Sequence, residues 1–146
     1  SLDDDWWAHA TAVDVEGTRF RVLCPADQLL HVCVHGAKWT PLPAIRWVAD
    51  ALTILRAGGV DWPRLVAGAR ARRVILRARD TLWYLSSTMG APIPTEVLRS
   101  LSRLPISPLE RLEHRVKVVR TRSSAATQSV APYRVRLYAD FADSGG

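Results

Sequence analysis

The apolar positions change period after residue 23. Before it, Val13 and Val15, then Phe20 and Val22, alternate with other residues around Glu16-Gly17. A period of two interrupted by a glycine predicts a short β-hairpin within residues 12–23. Two strands alone are marginal in water, so this hairpin is expected to lean on helices or on a sheet outside the sequence. From Pro25 the period becomes helical, with proline tolerated in the first turn and Asp27 complementing the positive helix end. Leu29, Leu30, Cys33, Val34 and Ala37 share one arc, predicting a helix from Pro25 to about Ala37. Asp27, Gln28, His31, His35 and Lys38 fall on a second arc about 100° wide, with Val32 at the border.

Pro41 and Pro43 break the chain before a second helix, Ala44 to Ala57, with Trp47, Val48, Ala51, Leu52, Ile54 and Leu55 on its apolar side. Arg46, Asp50 and Thr53 share the other side. Gly58-Gly59 ends it, Asp61 is positioned to cap the next helix, and Pro63 suits that helix's first turn. Its stripe is Trp62, Leu65, Val66 and Ala69; a fourth helix follows with Val74, Ala78, Leu82, Leu85 and Met89, stopping at Gly90. A short helix carries Val97, Leu98, Leu101 and Leu104. Ser107, Pro108 and Glu110 then form a capping-box pattern ahead of Leu109, Leu112, Val116 and Val119, amid Arg115, Lys117, Arg120 and Arg122. Residues 123–131 read as a linker, Tyr133 to Tyr138 as one short strand, and Ser144-Gly145-Gly146 as a frayed end. The expected fold is mainly α, a five- to six-helix domain with a short N-terminal β-hairpin. Its expected parts are 1–23 (hairpin and junction), 24–122 (helical domain) and 123–146 (linker and tail).

With 146 residues and 48% hydrophobic content, the chain has the material for one core. No apolar run reaches the roughly 20 residues that span a bilayer, and Asp3-Asp4-Asp5 at the start is unlike a signal peptide. These features point to a cytoplasmic protein with both cysteines, Cys24 and Cys33, reduced; Ser1 in place of a methionine suggests a piece of a longer protein. The formal charge of +6, nearly all from arginine, fits a solvated surface and also suits a polyanion.

Four segments resemble the uncharacterised bacterial nucleotidyltransferase family of the polymerase-beta-like superfamily: Val22-Leu23-Cys24-Pro25-Ala26-Asp27, Leu29 through Lys38 with its His-x-Cys-x-His-Gly stretch, Ile45-Arg46-Trp47-Val48-Ala49-Asp50, and Asp61-Trp62. Their order matches the part of the family that follows its catalytic sheet, over roughly residues 1 to 104. Cys24 departs from the helix-capping serine common in similar proteins. The resemblance implies a nucleotidyl transfer that uses Mg2+ held by carboxylates on a sheet, beside a Gly-Ser turn that holds a nucleoside triphosphate. Neither that turn nor an Asp-x-Asp strand behind it is found in this sequence; Asp3, Asp4 and Asp5 match the pattern only on paper and read as a solvated, frayed acidic end. The implied role is therefore the C-terminal helical domain of a nucleotidyltransferase, inactive alone, binding no metal itself, and partnered by a catalytic domain.

Within that reading His31, His35, Lys38, Arg46 and Asp50 form a polar wall that meets nucleotide or acceptor, with Lys38 or Arg46 on phosphate and Asp50 orienting a histidine. The plainer alternative is a solvated helix face with an Arg46–Asp50 pair. His31 and His35 have a spacing that can share a metal, but two ligands do not make a site. Cys33, on the apolar arc, should be an inert thiol, and no base accompanies Cys24. Trp47 and Trp62 lie on apolar stripes, whereas Trp6 and Trp7 are expected to cover the surface where a catalytic domain docks. The rival classes are a basic nucleic-acid-binding module, resting on the arginines of 64–79 and 111–122 without a supporting motif, and a protein-interaction domain.

Overall fold

The structure, a computed structural model, describes residues 2–36 and 45–116, with the backbone alone for Leu2 and Asp3. The fold is mainly helical. Helix α1 (Leu2–Ala8) leads into strands β1 (Thr11–Val15) and β2 (Thr18–Val22). Helix α2 (Pro25–His31) continues into a π-helical turn, Val32–Gly36. Helices α3 (Ile45–Ala57), α4 (Trp62–Ala71), α5 (Ile75–Ser87) and α6 (Thr95–Arg103) follow, and residues 108–116 form α7. The linker, tail strand and frayed C-terminus lie outside the described residues.

The hairpin is antiparallel, pairing Val13 with Phe20 and Val15 with Thr18. Its two-residue turn needs positive φ at both central positions: Glu16 adopts +51° and Gly17 +79°, and the Asp14 carboxylate accepts the Gly17 N–H at 3.0 Å. Val13, Val15 and Phe20 are on one face, and that face is exposed. The hairpin therefore does not lean on the helices through its apolar side.

Helix α2 packs on α4 and α3, α5 packs on α6 and α4, and the π-turn is seated between α3 and α5. Leu29, Leu30, Leu65, Leu82, Leu85 and Leu101 are fully buried where these faces meet. Asp61 caps α4 as expected, accepting the Arg64 N–H at 3.0 Å, and Gly58 and Gly59 supply the left-handed backbone that ends α3. Gly36 is required by close approach, since a Cβ there would collide with the Trp47 side chain. The Arg77 guanidinium donates to the Val34 carbonyl at 3.0 Å, satisfying an acceptor of the π-turn from α5.

Five expectations need correction. Asp27 is not on the open polar arc: it is 1% exposed, and its Oδ2 accepts from Arg64 Nη2 at 2.6 Å, Arg64 Nε at 3.0 Å and the Cys24 thiol at 3.2 Å. The acidic start is not frayed but helical, with the Asp5 carboxylate 3.2 Å from the same guanidinium. The capping box at α7 is half made: Ser107 Oγ accepts the Glu110 N–H at 3.1 Å, but the Glu110 carboxylate instead accepts Leu76 N–H at 2.8 Å, satisfying an open donor in the first turn of α5. His114 Nε2 lies 3.2 Å from buried Asp80, so α7 turns polar residues inward and leaves Leu109, Leu112 and Val116 exposed. Met89 likewise falls past the end of α5 and is exposed.

Arg64 thus joins three elements, α1, α2 and α4. Burial works against its charge, but the hydrogen bonds to Asp27 and Cys24 and the charges of Asp27 and Asp5 outweigh that cost, so its pKa lies above the ordinary guanidinium range. Breaking a buried pair leaves an uncompensated carboxylate, and Arg64→Ala should cost about 3 kcal/mol, the lower end for such a pair because the guanidinium still touches solvent. Arg64→Lys should recover only part of this, since an ammonium cannot reproduce the Nε and Nη2 contacts. Urea unfolding measures both; a loss below about 0.5 kcal/mol for the alanine variant would contradict the account.

Candidate functional site

A shallow concavity that involves two of the residues singled out from the sequence lies between α2 and α3. Leu23, Gln28, His31, Val32, Asp50, Thr53 and Ile54 line an open cleft of about 360 Å³. Two of the five wall residues, His31 and Asp50, meet here. His31 reaches it from the last turn of α2, on the side opposite the buried Leu29 and Leu30. Asp50, one turn before Thr53 and Ile54, reaches it from the exposed side of α3.

The His31 ring is held from two sides. His35 stacks on it with centroids 4.4 Å apart and planes at 30°, and Trp6 meets it edge-on at 5.9 Å. Arg72 in turn lies 4.3 Å above the Trp6 ring, a cation–π contact that ties α1 to the end of α4. Trp6 is therefore an internal support of His31 rather than a docking surface, whereas Trp7 is 53% exposed as expected of a surface tryptophan. Arg46 is exposed but does not line the cleft, and no ion pair joins it to Asp50. Lys38 lies outside the described residues.

The remaining polar groups of the cleft are partly committed. Gln28 Nε2 donates to the Leu23 carbonyl at 2.6 Å, and Thr53 Oγ1 donates to the Ala49 carbonyl at 2.8 Å. Asp50 has no hydrogen-bond or ion-pair partner among the described residues. Gln28 and Thr53 join the candidate site residues: their i, i+3 spacing from His31 and Asp50, visible in the sequence, puts them on the same helix faces.

The magnesium that the family resemblance implies does not fit these groups. A hard cation requires several oxygen ligands, whereas Asp50 is the single carboxylate of the cleft, and among the described residues no three His, Cys, Asp or Glu side chains can share a metal ion. Cys33, fully buried behind the cleft, is not a nucleophile: burial pushes its thiol up to about 12 from 9.0, against a smaller opposing effect of a hydrogen bond with Thr81. Cys24 does not cap α2 with its sulfur and serves Asp27 instead.

Residues 1–90, which carry α1, the hairpin, the cleft and every helix through α5, match the family described as uncharacterised nucleotidyltransferase. The chain belongs to that family. No curated protein and no solved structure is matched by it. In this nucleotidyltransferase-related chain the match covers His31, His35, Lys38, Arg46 and Asp50 together. Among the described residues no helix is long and apolar enough to cross a membrane.

The Cys33 thiol gives a pH test of this packing. Between pH 9 and 12 the unfolded chain releases its proton while the folded chain keeps it, so stability falls as pH rises through that window. At about pH 11 the parent should have lost about 1 to 3 kcal/mol more than Cys33→Ala, relative to each protein's value at pH 8, by urea unfolding. Parallel pH profiles would show the thiol to be accessible.

Proposed function

We propose that this chain is the C-terminal helical part of a nucleotidyltransferase, forming one wall of the nucleotide or acceptor site while the catalytic carboxylates and phosphate-holding turn come from polypeptide outside these residues. The observation that carries the reading is the convergence of His31 and Asp50 on one cleft, in a family member in whose sequence no Gly-Ser turn is followed by an Asp-x-Asp strand. The exposed Val13, Val15 and Phe20 face of the hairpin supports it, because an uncovered apolar strand pair is suited to packing on a catalytic sheet. His35 holds His31, and Lys38 and Arg46 are the cations nearest in sequence for phosphate. The carboxylate-bearing partner would contribute the Mg2+ chemistry and the nucleoside triphosphate contacts.

A second reading has one observation in its favour. The stripe of Leu109, Leu112 and Val116 on α7, bordered by Arg111 and Arg115, is exposed, as a protein-interaction or nucleic-acid-binding helix would be.

Labelled nucleoside triphosphates, Mg2+ and cell extract should give no transfer with this chain alone. With a family catalytic domain joined to it, transfer should appear, and His35→Ala, Lys38→Ala or Asp50→Ala should each lose about ten- to a hundredfold in affinity or rate, the equivalent of one charge-assisted contact of about 1.5–3 kcal/mol. Arg99→Ala, an exposed α6 residue paired with Glu96, serves as the control. If all three variants match the control while folded, the wall is only a solvated face.

A further inference from the structure

Helix α7 is docked with its polar side inward. Glu110, 6% exposed, accepts the Leu76 N–H at 2.8 Å, and His114 Nε2 lies 3.2 Å from buried Asp80. Leu109, Leu112 and Val116 are on the other side of the helix from these two anchors and are 53%, 60% and 45% exposed. Arg111 and Arg115, four residues apart and exposed, flank that stripe on one side. On the other flank Glu113 shares a small cleft with Arg73 and Arg77, so the one exposed acid of the helix sits among cations. Arg73 is exposed and holds a φ of +54°, which places a guanidinium at a backbone position that favours glycine. The sequence then continues with Lys117, Arg120 and Arg122.

Exposed aliphatic side chains set among cations match a partner with negative charge at its rim and apolar material behind it. Duplex nucleic acid offers the phosphates but little apolar surface, so the stripe would stay against water. A second copy of the chain would bring like charges together, and three aliphatic side chains are far short of the roughly 800 Å² per partner that a stable interface buries. An anionic bilayer has both layers in the matching order, headgroup phosphates above hydrocarbon, and needs no complementary recess. We propose that α7 seats the domain on an anionic lipid surface, with Leu109, Leu112 and Val116 dipping below the phosphates and Arg73, Arg111 and Arg115 lying among them. The contact is peripheral, since among the described residues no helix is long and apolar enough to cross a membrane. Helix α7 lies beyond residue 90, where the family match ends, so the lipid contact is independent of the transferase reading.

The test is cosedimentation of the full 146-residue chain with vesicles. Phosphatidylcholine vesicles with roughly one third phosphatidylglycerol should retain it at least about tenfold better than phosphatidylcholine alone, and about 1 M salt should remove the difference. Arg111→Gln should weaken retention about fivefold and Leu112→Gln about five- to tenfold, both with an unchanged melting temperature because both side chains are exposed. Arg99→Ala, which removes the same charge from α6, should bind like the parent. Hydrogen exchange on the parent with anionic vesicles should show new protection across residues 109–116 and none across the hairpin. The proposal is overturned if the anionic vesicles retain nothing, if neutral vesicles retain the chain equally, if Leu112→Gln binds like the parent, or if the protection falls on the hairpin instead. Retention on duplex DNA that equals that on anionic vesicles and ignores Leu112→Gln would assign the arginines to nucleic acid, and overturns it as well.

Discussion

Asp27 and Arg64 sit near the N-termini of α2 and α4, and their ion pair sets how the helices meet. A buried carboxylate is tolerated only when its charge is paired and its oxygens are hydrogen-bonded. Here one oxygen takes two guanidinium contacts and a thiol, while the same guanidinium reaches Asp5. The geometry fixes α4 against α2 and recruits α1 across both. Apolar burial supplies most of the stability, but it is non-directional, and the pair gives it an alignment.

That alignment builds the candidate site indirectly. With α1 held by Asp5 on Arg64, Trp6 lies between Arg72 and His31, and His31 is fixed at the cleft edge. On the other side of α2, the π-turn is held by Arg77 and by the close fit of Gly36 against Trp47, which brings α3 and its Asp50 alongside. The His-x-Cys-x-His-Gly stretch thus has divided duties: His31 and His35 form the aromatic edge, Cys33 fills the core, and Gly36 permits the helix contact.

Helix spans, the hairpin turn and the main core were legible because each is written in local periodicity and in cap or turn residues such as Asp61, Gly17 and Gly58. Asp27 was not, for a geometric reason. On a helical wheel it lies about 60° from Leu30 and about 20° from Val34, so it borders the apolar stripe as closely as it borders His31. Its partner is 37 residues away, which periodicity cannot reveal. The same limit applies to α7: its apolar spacing predicted burial of Leu109 and Leu112, whereas Glu110 and His114 find long-range partners in Leu76 and Asp80 that turn the helix over. The cleft was half legible. The two helix faces followed from spacing, but their convergence, and the absence of Arg46 from it, are tertiary facts.

The central claim is a division of labour between two aspartates of similar sequence setting: Asp27 is buried and holds the helices, and Asp50 is exposed at the cleft. Thermal unfolding of Asp27→Asn and Asp50→Asn, side by side with the parent, tests it most directly. Asp27→Asn should melt about 5 °C or more below the parent and Asp50→Asn within about 1 °C of it. Equal losses, or a larger loss for Asp50→Asn, would contradict the account.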